Sequence, residues 1–245
     1  MNHDDTELVA EWLTRLERSF ASRDFSTLAS LLRLAREETQ DAPEVLEFAG
    51  IIAFGQGANR EAAHLLETAM FEMRLSFSGL FVLACCWLQA QRRDQAMETF
   101  EFLLEMKHRL PCSLLPPLTH KCADLGRYLW AIQICREAER RHPEDHNAVF
   151  ARANYMAREG YPAESVRSVI QKALNLKPDC EWYRANLAVV LSRQSLWHLA
   201  YQEARQLSPE MLKRIPCHCM SQVLERIFER AGDDVRCQWV RENRV

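Results

Sequence analysis

Apolar residues recur along this chain at helical spacing, in paired stripes separated by short polar turns. Leu46, Ala49, Gly50 and Ala53 make one stripe and are closed by Gly57; a second runs from Ala62 to Ala69. Residues seven apart lie on one helical face, and small residues there let two antiparallel helices approach closely. The same pair of stripes returns as Leu80, Leu83, Ala84 and Trp87 before Ala96, and as Leu115, Leu118 and Cys122 before Gly126. It returns again as Val149, Ala153 and Met156 before Gly160, and as Leu187, Ala188 and Leu191 before Ser195. The first residue of each second stripe falls at Leu28, Ala62, Ala96, Ala131, Ser165 and Ala200, at steps of 34, 34, 35, 34 and 35. A fixed period of this size marks a repeat array whose unit is a helical hairpin.

The most complete unit reads Gly126, Tyr128, Ala131, Ala138 and Pro143: a glycine ends one helix, two alanines line the next, and a proline stops it. Gly50, Gly57, Ala62 and Ala69 carry a second good copy. In this pattern the sequence resembles the tetratricopeptide repeat (TPR) family. The resemblance covers residues 9–211 in six units, the first and sixth degenerate. It implies an all-α, right-handed superhelical solenoid, preceded by an extension over 1–8 and followed by capping helices over 212–245.

Two segments depart from the period. Lys107 to Pro117 contains three prolines, which a helix tolerates in its first turn but not its interior. The fourth first-helix is therefore expected to start late, near Pro116 or Pro117, dividing repeats 1–3 from 4–6 by an irregular connection or a hinge. Beyond residue 211, Met220, Val223, Leu224, Ile227 and Phe228 form one apolar face. After Ala231-Gly232-Asp233-Asp234, a short helix carries Val235, Cys237, Trp239 and Val240. Arg226, Glu229, Arg230, Arg236, Arg241 and Arg244 would give this cap its solvent-tolerant face.

Composition narrows the function. Seven glycines and nine prolines in 245 residues leave little for all-β turns or phosphate-binding loops. The net charge of −3 gives no general attraction to nucleic acid, although residues 1–50 carry −6 and residues 205–245 carry +2. The opening Met1-Asn2-His3-Asp4-Asp5-Thr6-Glu7 leads into no apolar core, unlike a signal peptide. The longest apolar run, Gly79 to Ala90, is short of the roughly 20 residues that cross a bilayer. These features predict a cytoplasmic chain without membrane insertion, its nine cysteines reduced and mostly buried.

The resemblance places ligands against the concave wall formed by the first helix of each hairpin. The positions that face it here are Phe81, Val82, Cys85, Leu88 and Gln89 in the third repeat and His120, Ala123 and Asp124 in the fourth. The fifth supplies Asn147, Phe150, Asn154 and Arg158, and the sixth Trp182, Asn186, Val189 and Arg193. Glu17, Glu44, Glu47, Ile51 and Phe54 occupy such positions in the first two. Asn154 and Asn186 match asparagines that grip a bound peptide's backbone in family members, and an amide suits that task because it donates and accepts together. The carboxylate clamp of chaperone-binding members is not reproduced, since Phe150, Cys219 and Val223 stand where its cations belong.

Nothing marks a catalytic centre. Gly-Lys-Ser/Thr, Gly-x-Ser-x-Gly and His-Glu-x-x-His are all missing from the sequence, and the repeats use nearly the whole chain. No cofactor or metal is assigned. Cys217-His218-Cys219 could share a metal only if Pro216 keeps the segment non-helical and Cys237 or His198 completes the set, because residues two apart on a helix diverge. Cys112, His120 and Cys122 are a weaker set, and Cys85-Cys86 belongs to the core. The leading reading is a non-catalytic scaffold or adaptor that binds a protein or peptide segment. A secretion-type TPR chaperone for an exported protein is the second reading, and a metal-dependent enzyme or sensor is the third. Self-association through edge hairpins stays open.

Overall fold

The structure is a computed structural model describing residues 3–215 and 217–242. Met1, Asn2, Pro216 and Arg244, all invoked above, lie outside the described residues. The chain divides into two compact units, Met1–Leu114 and Leu115–Val245, so the division falls within the proline-rich segment 107–117.

The first unit holds three helical hairpins: α1 (His3–Ala21) with α2 (Phe25–Glu38), α3 (Pro43–Gly55) with α4 (Asn59–Glu72), and α5 (Phe77–Gln89) with α6 (Arg93–Glu105). α1 begins at His3, so most of the segment read as an extension forms its first turns. The first helices stack on one another, α1 on α3 and α3 on α5. The core takes in striped positions, Leu28, Leu66, Leu83, Ala84 and Ala96, and adds Leu16, Ala35, Val45 and Phe100, all fully buried. The unit closes with a 3₁₀ turn, Cys112–Leu114.

The second unit begins with α7 (Leu115–Asp124), which sets Pro116 and Pro117 in its first turn, where their missing N–H groups have no intrahelical role. The start is one residue earlier than the prolines alone suggested. α8 (Tyr128–Arg141), α9 (His146–Glu159), α10 (Ala163–Leu176), α11 (Glu181–Arg193) and α12 (Trp197–Ala204) complete the fourth to sixth hairpins. The end is formed by α13 (Pro209–Lys213), α14 (His218–Ala231) and α15 (Asp234–Glu242). α14 packs on both α11 and α12, the position a seventh first-helix would take, and α15 packs on α14. Met220, Leu224, Ile227 and Phe228 are buried there, whereas Val235 is 59% exposed and lies outside that core.

The period has a backbone cause. Each hairpin reverses through one residue in the left-handed region: Arg23, Gly57 and Gln91 in the first unit, Gly126, Gly160 and Ser195 in the second. The steps between them are 34 and 34, then 34 and 35. Glycine accepts φ of +86° at Gly160 without a Cβ clash, whereas Gln91 holds φ of +62° at a cost of about 1 kcal/mol or more. Gln91→Gly is therefore expected to raise stability by about 0.5–1 kcal/mol, read as an increased urea midpoint at unchanged m-value. No gain would mean that the Gln91 side chain offsets its backbone cost.

Two glutamates, buried Glu47 and half-buried Glu181, each join a first helix to the N-terminus of a later helix. Glu47 of α3 accepts from the Ser76 backbone N–H at 3.0 Å and from Ser76 Oγ at 2.5 Å, while Ser76 Oγ accepts from the Gly79 N–H at the start of α5. A Cβ at Gly79 would sit 2.2 Å from Glu47 Oε1, so a larger residue there would displace this carboxylate. Glu181 of α11 repeats the arrangement, accepting from the Ser208 N–H at 2.5 Å and from Ser208 Oγ at 3.0 Å at the start of α13. Glu47 is thus a structural residue and not a groove residue.

In α8, Arg140 and Arg141 flank the buried Glu137 at 2.7 Å each. Their hydrogen bonds, Arg140's first, hold its carboxyl down to about 2 against the opposing effect of burial. A depressed carboxylate stabilises the fold fully above its unfolded value of about 4.3, and that contribution is lost as pH falls towards the folded value. Between roughly pH 4.3 and 2, Glu137→Gln should therefore show a shallower loss of stability than the natural chain. Parallel acid profiles would remove Glu137 from the account.

Candidate functional site

In the second unit α7, α9, α11 and α14 line a cavity of about 870 Å³. Its floor is apolar. Phe150 of α9 stacks on Tyr183 of α11 with ring centroids 4.1 Å apart, and Val166, Ile170, Val189 and Val190 continue the surface. The stack is held from behind: the Tyr183 hydroxyl donates to Asn147 Oδ1 at 3.1 Å and lies 2.8 Å from His146 Nδ1. Asn147 is thereby occupied, and burial pushes the Tyr183 hydroxyl pKa up.

The rim is polar and mostly cationic. All eleven second-unit residues that the repeat pattern placed at the groove line this one cavity: His120, Ala123 and Asp124, then Asn147, Phe150, Asn154 and Arg158, then Trp182, Asn186, Val189 and Arg193. Their roles differ. Asn186 Nδ2 donates to the Trp182 carbonyl at 2.8 Å, one turn back on its own helix, so half of its amide serves α11. Asn154 is half-buried, and its amide makes no side-chain hydrogen bond among the described residues. Arg158 stands 5.8 Å from the Tyr128 ring, which stacks on Tyr155. Neither Arg158 nor Arg193 has a carboxylate partner among the described residues, and both are exposed. Asp124, at one end, lies 3.8 Å from Lys121.

The groove positions of the first unit fare differently. Phe81 is buried edge-on against Phe100 at 6.2 Å, and Cys85 is 3% exposed. Both are core residues, which corrects their placement on an open wall. The cause is the composition of α5, which is apolar on almost every face and so is buried nearly all round. Val82 is buried too, Leu88 is half-buried, and exposed Gln89 borders a separate small depression with Gly57 to Glu61.

Cys217, Cys219 and Met220 also line the second-unit cavity and were not among the expected groove residues. The available signal was the period itself, since one more 34-residue step from Asn186 reaches Met220. Cys217 and Cys219 are joined by a disulfide, with Cα atoms 5.4 Å apart. This corrects the expectation that they are reduced, buried residues: Cys217 is half-buried, while His218 and Cys219 are exposed. Bonded to each other, the two sulfurs are not thiolate ligands, so the metal set drawn around them is not assembled. Among the described residues one group has metal-capable atoms within 4.8 Å of one another, Glu225, Glu229 and Cys237. Arg241 already pairs with both glutamates, at 2.6 and 2.5 Å.

No family model and no curated protein matches the sequence. Solved structures do match. The C-terminal part of a TPR repeat-containing protein from Cytophaga hutchinsonii is 11% identical, with a TM-score of 0.68 over 94% of this chain and 93% of that one. A tetratricopeptide repeat protein from Parabacteroides merdae is 14% identical, with a TM-score of 0.58 over 94% and 90%. A third, from the complex of Naa15/Naa10 bound to HypK, is 13% identical, with a TM-score of 0.59 over 94% of this chain and 35% of that one. The chain has the fold of tetratricopeptide repeat proteins, an all-α solenoid of stacked hairpins. Among the described residues no helix is long and apolar enough to cross a membrane.

Proposed function

We propose that the protein is a non-catalytic interaction scaffold that binds an extended, acidic segment of a partner protein in the second-unit groove. One observation carries this reading. Two guanidinium groups without carboxylate partners, Arg158 and Arg193, and the free amide of Asn154 border a single apolar floor. A carboxylate side chain would accept the fork of either arginine. An apolar side chain between two carboxylates would rest on Phe150, Val189 and Trp182. The Asn154 amide would bridge a peptide N–H and C=O.

The test uses a fluorescent extended peptide with two glutamates flanking a leucine, and a twin with both glutamates replaced by glutamine. Anisotropy titration is expected to show saturable binding of the acidic peptide that weakens with salt, and binding of the glutamine twin at least about tenfold weaker, about 1.4 kcal/mol. Equal affinities, or none for either peptide, would refute the proposed specificity.

A further inference from the structure

We propose that Cys217 and Cys219 form a reversible thiol–disulfide exchange site in the groove wall, with small thiols of the glutathione class as reaction partner. The coupling to ligand rests on the reading of the groove given above; the exchange chemistry does not.

The other cysteines set the contrast. Cys85, Cys86, Cys122, Cys135 and Cys237 are buried. Burial pushes the Cys86 thiol up to about 11 and the Cys135 thiol up to about 12, which keeps both protonated and inert. Cys217 and Cys219 differ from these five in three ways; exposed Cys112 and half-exposed Cys180, the N-cap of α11, differ from the pair in lying outside its disulfide. Cys217 and Cys219 are bonded to each other. The Cys219 side chain is exposed and Cys217 is half-buried, so a small thiol has access. Cys217 is the N-cap of the fourteen-residue α14, where the helix N-terminus stabilises a thiolate and makes it a good leaving group.

The bond does little for the fold. A disulfide across two residues closes a very short loop and restricts the unfolded chain least. α14 is held by its own buried face, Met220, Leu224, Ile227 and Phe228. Breaking the bond therefore changes the wall and leaves the helix in place.

The exchange balances without other reagents. The thiolate of one glutathione attacks exposed Cys219 Sγ; a new S–S bond forms, the Cys217–Cys219 bond breaks, and Cys217 leaves as thiolate and takes a proton. A second glutathione thiolate attacks the glutathione sulfur of the mixed disulfide, forming oxidised glutathione and releasing the Cys219 thiolate, which is protonated in turn. Two electrons pass from two thiols to the protein pair. In the reverse direction oxidised glutathione restores the bond.

The full chain is equilibrated in buffers from reduced to oxidised glutathione, quenched with acid, unfolded in denaturant with an alkylating reagent so that buried thiols react too, and mapped by mass. The sequence has nine cysteines, of which seven lie outside the Cys217–Cys219 disulfide, so the alkylated count should pass from nine to seven across the series, with the change at Cys217 and Cys219. With one member of the pair replaced, Cys217→Ser should trap a glutathione adduct on Cys219 several-fold faster than Cys219→Ser traps one on Cys217. A count fixed at nine or at seven throughout, or a fall produced by adducts at exposed Cys112, overturns the site.

The acidic peptide of the preceding section supplies the second readout. It should slow reduction of the pair several-fold, because the bonded sulfurs line the occupied groove. If the peptide binds and the rate does not change, the pair's place in the ligand-bound wall is refuted. If the peptide does not bind, the groove reading fails while the thiol counts still decide the exchange site.

Discussion

Reversing both free guanidiniums, Arg158→Glu with Arg193→Glu, is expected to weaken capture of the acidic peptide by at least about 100-fold. A hydrogen bond to a charged group contributes about 1.5–3 kcal/mol, so losing two removes about 3 kcal/mol or more. The introduced carboxylates add repulsion at the same rim. Both side chains are exposed and unpaired with acids among the described residues, so the double variant should keep its helical signal and unfolding midpoint within about 0.5 kcal/mol. The lysine pair, Arg158→Lys with Arg193→Lys, separates charge from geometry. It keeps the charge but loses the planar fork, and should bind between the natural chain and the reversed one. Full binding by the reversed variant would move the ligand to another surface.

The largest stability loss is expected from Phe100→Ala. Phe100 is fully buried in α6 and meets Phe81 edge-on at 6.2 Å. Truncating a buried phenylalanine costs about 3–5 kcal/mol, the lost transfer energy together with the cavity left behind. Against a typical domain stability of about 5–15 kcal/mol this can take a large share. Phe100→Met keeps most of the volume and should cost under about 1.5 kcal/mol. Urea unfolding of the full chain measures both. A loss near 1 kcal/mol for the alanine variant would show that the surrounding α5 and α6 side chains collapse into the space.

The hairpins and their turns were legible because one physical requirement repeats: a left-handed residue, then a helix with small residues seven apart. Where glycine fills that position, at Gly57, Gly126 and Gly160, the turn is plain in the sequence. At Arg23, Gln91 and Ser195 the same backbone is adopted by residues that signal nothing, and the turn is found there only by counting. The second-unit groove was legible for the same reason, since repeat phase fixes which face of each first helix points inward. Phase does not show how deeply a residue is buried once neighbours pack. Phe81 and Cys85 therefore went to the wall when they belong to the core. Nor does it reveal which amide is already occupied, which separates Asn154 from Asn186. The disulfide was not read from the sequence, which let Cys217 and Cys219 meet only if the segment were non-helical; Cys217 is the extended N-cap of α14, so that condition is met.

The glutamate–serine contacts of the first unit have a direction. α5 draws its Ser76 cap partner from α3, whereas the N-cap of α3, Ala42, makes no side-chain cap hydrogen bond. Shortening the chain from its front is therefore not equally costly at every hairpin boundary. A truncation starting at Pro43 removes α1 and α2 and leaves the cap of α5 complete. One starting at Ser76 strips away Glu47 and hands the serine to water. The natural seams for trimming or grafting these repeats are thus set by which helix supplies a carboxylate forward, and the 34-residue period alone does not show them.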